Sequence, residues 1–176
     1  MKEWEVISEE EYDCVWNNVM ESFKFKPRYN STNNAIPFLK LPEPFHIYEM
    51  HLFTSHLKDK SIIINDDYYN VFNEHITNIF IKCMANEDFL YALDWQHTCF
   101  RYNPKSSEKM PHMLETDDYN IYFPNFYPDG DYYFFIAKDF SWGYFTHPWK
   151  QQLWVFGKDM VEEIKKVPPI YLTLKV

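Results

Sequence analysis

Glycine, cysteine and clustered basic residues are all scarce in this sequence of 176 residues, and each shortage excludes a class of protein. With only 3 glycines, the chain lacks glycine-rich phosphate loops, collagen-like repeats and flexible linkers. Its 3 cysteines are widely spaced and form no C-x-x-C pair, which argues against a disulfide framework. Unpaired cysteines are typical of a reducing compartment, so we predict a cytoplasmic protein.

Long apolar runs are missing as well. No stretch reaches the roughly 18 to 20 apolar residues that a membrane-spanning helix needs. The acidic start MKEWEVISEEEYD has no apolar segment of the kind found in secretory signals. We therefore predict no membrane partner.

The charge balance is acidic, with a net charge of -9 and no basic run longer than the pair Lys165–Lys166. Nucleic-acid binding needs clustered lysine and arginine to neutralise phosphates, so no nucleic-acid partner is expected. An acidic surface instead attracts a basic protein partner, although mild acidity also serves solubility alone. The sequence does not determine the oligomeric state.

Apolar and aromatic residues are plentiful and spread along the whole chain. They account for 46% and 20% of it, and the aromatic share is high. This length and composition fit a single domain over residues 1–176 with a sizeable core.

Two long helices and a short closing helix are predicted from apolar periodicity. Ser8 and Glu11 form a capping box before an apolar stripe, which indicates a helix over 8–23. A second stripe follows a cap near Asn65 and runs to Met84. Met160, Val161 and Ile164 indicate the short helix near the carboxy terminus.

The other segments favour strands. We predict strands at Phe45–Phe53 and Phe89–Tyr102, and then in the stretches NIYF, DYYFFIA, YFTH and IYLTLKV. Residues 28–44 read as an irregular, proline-rich connector, and Gln151–Phe156 fits either a strand or the first turns of the closing helix. The predicted fold class is α+β, a single domain with helices packed on a largely antiparallel sheet.

The stretch YPDGDYYFFI places two aspartates around one glycine. Asp129 and Gly130 suit a turn, after which Asp131 begins a core strand. On extended backbone Asp129 and Asp131 share one face, where two carboxylates bind a cation or divide acid and base roles. A structural turn and a ligand site are both compatible with this pattern.

Two histidine-containing stretches supply further candidate ligand-binding residues. If LDWQH lies within one strand, Asp94 and His97 face opposite sides, and the polar residues form either a core network or a pocket lining. Pro148 ends a strand and presents His147 at its end. If His97 and His147 converge with Asp129 and Asp131 across adjacent strands, they line one polar cleft ringed by Trp95, Trp142 and Trp149, but the sequence does not determine whether they meet.

Metal, cofactor and catalytic motifs are not found. His46, His51 and His56 recur every five residues, a spacing that suits neither a strand nor a helix as a zinc triad, so we predict no metal site. No cofactor motif is present either. Cys99 shares a strand face with His97, but a small buried cysteine is the commoner arrangement. We therefore predict no catalytic residues.

The stretches LDWQH, PDGDYYFF, GYFTHPW and VFG together resemble an uncharacterised bacterial family named domain of unknown function 2716. Thr146 stands where members commonly carry glycine before the histidine of the HPW motif. The resemblance implies no activity, because the family has no established one.

A second likeness concerns the fold. An acidic-glycine turn, an aromatic strand, another strand and a closing helix are similar to the carboxy-terminal half of SUKH immunity proteins, which bind and neutralise toxins. By this analogy we predict a non-catalytic binding protein that masks a basic partner. The alternative is an enzyme or a small polar-ligand binder that uses the His/Asp/Trp cleft.

Overall fold

The computed structural model describes residues 2–26, 39–50, 66–166 and 172–175. Within them, three α-helices form at Glu9–Phe23 (α1), Asp66–Cys83 (α2) and Lys158–Lys166 (α3). All three were predicted. Residues 28–38 of the predicted connector, together with His51, His56 and Asn65, lie outside the described residues.

An antiparallel sheet of eight strands forms the centre of the fold, beside a separate two-stranded sheet. The strands, in chain order, are β1 Trp4–Val6, β2 Phe45–Met50, β3 Leu90–Asp94, β4 Phe100–Tyr102, β5 Met113–Glu115, β6 Asn120–Tyr122, β7 Tyr133–Ala137, β8 Gly143–His147, β9 Gln152–Phe156 and β10 Leu172–Leu174. The large sheet has the order β1-β4-β3-β7-β8-β9-β2-β10, and β5 pairs with β6. This arrangement confirms the predicted α+β class.

Helices cover both faces of the central strands. Alternate residues of β7 point to opposite faces, so Phe134 packs on the α1 side and Phe135 on the α2 side. On the first side the rings of Phe23 and Phe156 lie 4.9 Å apart, and on the second Phe80 stacks on Phe135 at 5.5 Å. Because both faces are buried, β7 is an unbroken apolar run rather than an alternating one.

Helix α1 is joined to the sheet by a charged contact. The Ser8 side chain accepts a hydrogen bond from the Glu11 amide at 3.2 Å, which forms half of the predicted capping box. The Glu11 carboxylate does not reach back to Ser8. It accepts two hydrogen bonds from Arg101 on β4, at 2.9 and 2.7 Å, and one from the Tyr91 hydroxyl at 3.1 Å. This bidentate pair fixes the first turn of α1 over β3 and β4.

Gly157 allows β9 to pass directly into α3. Its φ angle is +84°, in the left-handed region, and a Cβ there would overlap the carbonyl oxygen of Ser141. Helix α3 then buries Met160, Val161 and Ile164 beside α2.

The structure corrects one predicted strand and resolves one segment for which two alternatives were left open. Residues 89–102 do not form one strand, because the chain reverses after Asp94 and returns as β4. Gln152–Phe156 is a strand rather than the beginning of the closing helix. In the described ranges, no helix combines the length and the apolar character that crossing a membrane requires. That residues 1–176 form one domain stays a prediction.

Candidate functional site

A tight turn after β3 brings Asp94 and His97 together. Gln96 has a φ angle of 71°, and the His97 amide donates to the Asp94 carbonyl oxygen at 3.2 Å. The strand therefore ends at Asp94, and His97 lies beyond it in the turn. The prediction that these two side chains face opposite sides is wrong, because it assumed unbroken extended backbone.

Asp131 joins them from the turn that precedes β7. Asp94 pairs with Tyr133 in the sheet, so the residues just before Tyr133 lie next to the turn after β3. The Trp95 amide donates to the Tyr132 carbonyl oxygen at 3.2 Å and fixes the two segments together. The strand begins at Tyr133, two residues later than predicted, so Asp131 belongs to the turn.

These three side chains form what we call the carboxylate–imidazole cluster, consisting of Asp94, His97 and Asp131. The His97 Nδ1 atom lies 3.1 Å from the nearer Asp94 oxygen and 3.6 Å from an Asp131 oxygen. One ligand atom from each residue lies within 4.8 Å of the other two. The Asp94 side chain is only 12% exposed, whereas that of His97 is 58% exposed. The cluster therefore reaches from the end of the buried sheet to the surface.

Burial and mutual contact shift the pKa values of this cluster. Burial raises the pKa of Asp94 to about 6, against the opposing effects of its hydrogen bond and charge interaction with His97. The hydrogen bond with Asp94 in turn raises the pKa of His97. The two groups therefore interact through both a hydrogen bond and their charges.

Asp129 lies at the same end of the sheet but has its own partners. Its carboxylate accepts hydrogen bonds from the Asn125 amide and the Tyr133 hydroxyl. Its negative charge adds to the elevation of the Asp94 pKa, after the contribution of Asp131. Asp129 thus strengthens the negative field of the cluster, while Asp131 faces His97 directly.

His147 does not join the cluster. It is the last residue of β8 and is only 1% exposed, on the α1 side of the sheet. The rings of Tyr132, Phe145 and Trp154 lie 5.5 to 6.1 Å from its own. Neither ring nitrogen bonds to another of the described residues, and burial, followed by the charge of Lys150, lowers the pKa to about 4. Pro148 begins a 3-10 helix after the strand, but the surrounding aromatic rings enclose His147, so it is covered rather than presented.

The three predicted tryptophans are in different environments. Trp95 packs on the Phe25 and Tyr132 rings beside the cluster. Trp149 is 78% exposed, and its indole N–H donates to the Tyr132 hydroxyl. Trp142 precedes β8, at the other end of that strand from His147, and is buried against Phe80. The tryptophans therefore do not ring one cleft.

Cys99 is a buried thiol. Its Sγ atom donates to the backbone oxygens of Asp94 and His97 at 3.5 and 3.6 Å. Burial raises the pKa of the thiol to about 12, so it stays protonated near neutral pH. These contacts stabilise the turn and do not form a Cys–His dyad.

A groove of about 520 Å³ adjoins the cluster through His97. One wall is the first turn of α1 with Glu9 and Asp13, and the opposite wall is the turn from Gln96 to Cys99. Val6 and Tyr119 complete it, and Tyr119 is 62% exposed. We call this the acidic groove, because its described lining contains carboxylates and neither lysine nor arginine.

The sequence pattern did not single out Tyr119 as part of a site. It follows Asp117 and Asp118 in the loop between β5 and β6. An exposed aromatic residue directly after two acidic residues was the available signal. Tyr119 and the His97 turn are separated by about twenty residues in the sequence, so no local pattern indicated that they lie close in space.

The sequence was compared with those of known proteins. Residues 6–161 match the family described as Protein of unknown function (DUF2716). The sequence is also similar to the uncharacterized protein YxiI of Bacillus subtilis (strain 168), with 32% identity over 173 residues that cover 97% of each protein. No solved structure matches the chain significantly.

Proposed function

We propose, from the premise that this chain belongs to the DUF2716 family, that it is a non-catalytic binding protein. It receives a basic segment of a protein partner in the acidic groove and masks that segment, as an immunity or antitoxin factor does. The observation that carries the proposal is the groove itself, which combines carboxylates with an exposed aromatic residue.

Charge complementarity supports a basic occupant. Glu9 and Asp13 line the groove, and Glu10 is exposed on the same first turn of α1. Asp117 and Asp118, both exposed, directly precede Tyr119 in the chain. Several carboxylates around one concave surface attract cations and accelerate the association of a basic partner.

The aromatic content of the groove supports a protein segment rather than a free ion. Tyr119 offers a ring and a hydroxyl group, a combination that is enriched at protein interfaces. Val6 supplies an exposed apolar contact beside it. A cationic side chain between Tyr119 and the carboxylates gains both charge pairing and ring stacking.

The state of the cysteines supports a non-catalytic role in the cytoplasm. Cys99 is protonated and bonded to backbone oxygens, so it is a poor nucleophile. Cys14, Cys83 and Cys99 are all free thiols, which suits a reducing compartment. The likeness to SUKH immunity proteins points in the same direction by analogy of fold.

Peptide binding tests the proposal. A fluorescein-labelled peptide of alternating arginine and alanine is titrated with the full chain, and anisotropy and the stopped-flow association rate are recorded at low and high salt. Binding is expected at low salt, and the triple variant Glu9→Lys, Glu10→Lys and Asp13→Lys is expected to weaken it by about tenfold or more.

A matched variant separates the groove from the net charge. Three exposed residues outside the groove, on and near α2 and α3, are reversed instead: Glu74→Lys, Glu87→Lys and Glu162→Lys. This control changes the total charge by the same amount and is expected to retain most of the binding. Equal weakening in both triple variants would contradict a groove-specific partner.

A small polar ligand is the second candidate, favoured by the hydrogen-bonded contact of Asp94 and His97. This candidate is tested by saturation-transfer NMR with free metabolites that contain imidazole, amine or carboxylate groups. Ligand contact that disappears in His97→Ala, with an unchanged melting temperature, supports this alternative; contact that survives the substitution contradicts it.

A further inference from the structure

The carboxylate–imidazole cluster combines the donor atoms of a metal centre. It offers one imidazole nitrogen and two carboxylate oxygens within 4.8 Å of one another. The geometry points to a site for a divalent first-row transition metal, such as Zn²⁺ or Mn²⁺, formed by Asp94, His97 and Asp131.

The observed distances are close to those of a coordinated metal. Zinc binds nitrogen and oxygen at about 2.0 to 2.2 Å, which places two ligand atoms about 3.0 Å apart at a right angle and about 3.4 Å apart in a tetrahedron. The two contacts of His97 Nδ1 measure 3.1 and 3.6 Å. A cation can therefore be held between these atoms with only small side-chain movements.

Within the part of the chain that the structure describes, His97 is the basic side chain that pairs with this cluster. Asp94 and Asp131 each contact it, and no described lysine or arginine forms an ion pair with either carboxylate. Asp94 is also largely buried, where an unbalanced negative charge is costly. A bound divalent cation offsets both negative charges at once.

The backbone holds the ligands in place. Asp94 is the last residue of a central strand, and His97 is fixed by the turn that the Asp94 carbonyl oxygen closes. The Trp95–Tyr132 hydrogen bond attaches this turn to the segment that carries Asp131. Ligands on rigid elements lose little conformational entropy on binding, which favours affinity.

The donor set also selects the class of metal. Imidazole and carboxylate together suit Zn²⁺, Mn²⁺ and related divalent ions, whereas Cu(I) and iron–sulfur clusters prefer thiolates. The exposed His97 borders the acidic groove, so further coordination positions are open to water. The inference does not depend on a basic segment entering that groove.

Isothermal titration of the full chain with ZnCl₂ and with MnCl₂, after EDTA treatment and dialysis, tests the site. One ion per chain is expected to bind, and His97→Ala and Asp131→Asn are each expected to weaken binding by about tenfold or more. Asp131 is the safer variant for folding, because it lies in a turn and is partly exposed. His112→Ala and Asp88→Asn are matched controls at exposed positions elsewhere and are expected to bind as the wild type does.

A paramagnetic probe locates the ion independently of affinity. Substoichiometric Mn²⁺ is expected to broaden the ring-proton NMR signals of His97 and to leave those of His112 sharp. Binding that is equally tight in wild type, His97→Ala and Asp131→Asn would overturn the site, as would broadening that affects all histidines alike. When the peptide assay is run in EDTA, failure of one proposal is distinguishable from failure of the other.

Discussion

His97 and His147 lie at the same end of the sheet, one beyond β3 and the other as the last residue of β8, yet their environments are opposite. His97 is exposed and contacts two carboxylates, and its pKa is raised. His147 is enclosed by aromatic rings, has no bonded neighbour among the described residues for either nitrogen, and its pKa is lowered to about 4. The turn after β3 carries one side chain out to solvent, whereas β8 keeps the other under the α1 layer. Position relative to the end of a strand therefore decides which histidine is available for chemistry.

The largest difference between the two histidines is expected in the loss of stability when each is replaced by alanine. His147→Ala removes a ring packed against three others and is expected to lower the free energy of unfolding by about 3 kcal/mol, while His97→Ala is expected to change it by less than about 1 kcal/mol. Urea unfolding of both variants at pH 7 measures the two values. Equal effects would show that the enclosed and exposed positions do not differ as described.

A smaller effect on folding stability is expected when the pH is lowered. Because the pKa of His147 falls from 6.5 to about 4 on folding, the unfolded chain binds the extra proton between these values, and stability falls as the pH falls. The loss between pH 7 and pH 5 is expected to be about 2 kcal/mol at most. Nearby Lys150 is its charged neighbour, and Tyr132 and Trp154 pack against it without bearing charge.

The variant His147→Phe isolates this contribution. It keeps an aromatic ring in the same space but cannot take up a proton, so its unfolding free energy is expected to depend less on pH than that of the wild type. Asp94 and His97, whose raised pKa values act in the opposite direction, are present in both proteins and cancel in the comparison. Identical pH profiles would mean that His147 does not titrate on unfolding.

The smallest effect concerns the turn that exposes His97. Gln96 has a positive φ angle, which a β-branched residue tolerates poorly, so Gln96→Val is expected to cost about 1 kcal/mol. Thermal unfolding measures that cost, with Gln96→Asn as the conservative control. A Gln96→Val protein as stable as the wild type would indicate that the turn adopts another conformation in solution.

Local patterns in the sequence were sufficient for α1 and for β7. The cap at Ser8 and the stripe from Tyr12 to Phe23 depend on neighbours a few residues apart, and the structure confirms that helix. The turn from Trp95 to His97 was missed because it contains neither glycine nor proline, so alternation continued unbroken through it. The contact of Asp131 with His97 depends on the pairing of β3 with β7, which no local pattern specifies.

The prediction for His147 was based on the local effect of Pro148 and did not include the tertiary packing around the histidine. Proline does end β8, as expected, but this local effect says nothing about which layer covers the last residue. Trp142 shows the same limit, since its partner Phe80 comes from a helix more than sixty residues earlier. Residue types in the candidate cleft were therefore predictable, whereas their grouping required the topology.

The two outermost strands of the large sheet, β1 and β10, are each three residues long. At about 3.3 Å per residue, each edge presents roughly 10 Å of backbone to solvent. Such narrow edges give a foreign strand few hydrogen bonds to form, which discourages runaway self-assembly of an otherwise aromatic-rich sheet. A fusion partner or cleavage that displaces either short strand would uncover the next one, and precipitation on storage would be the visible sign.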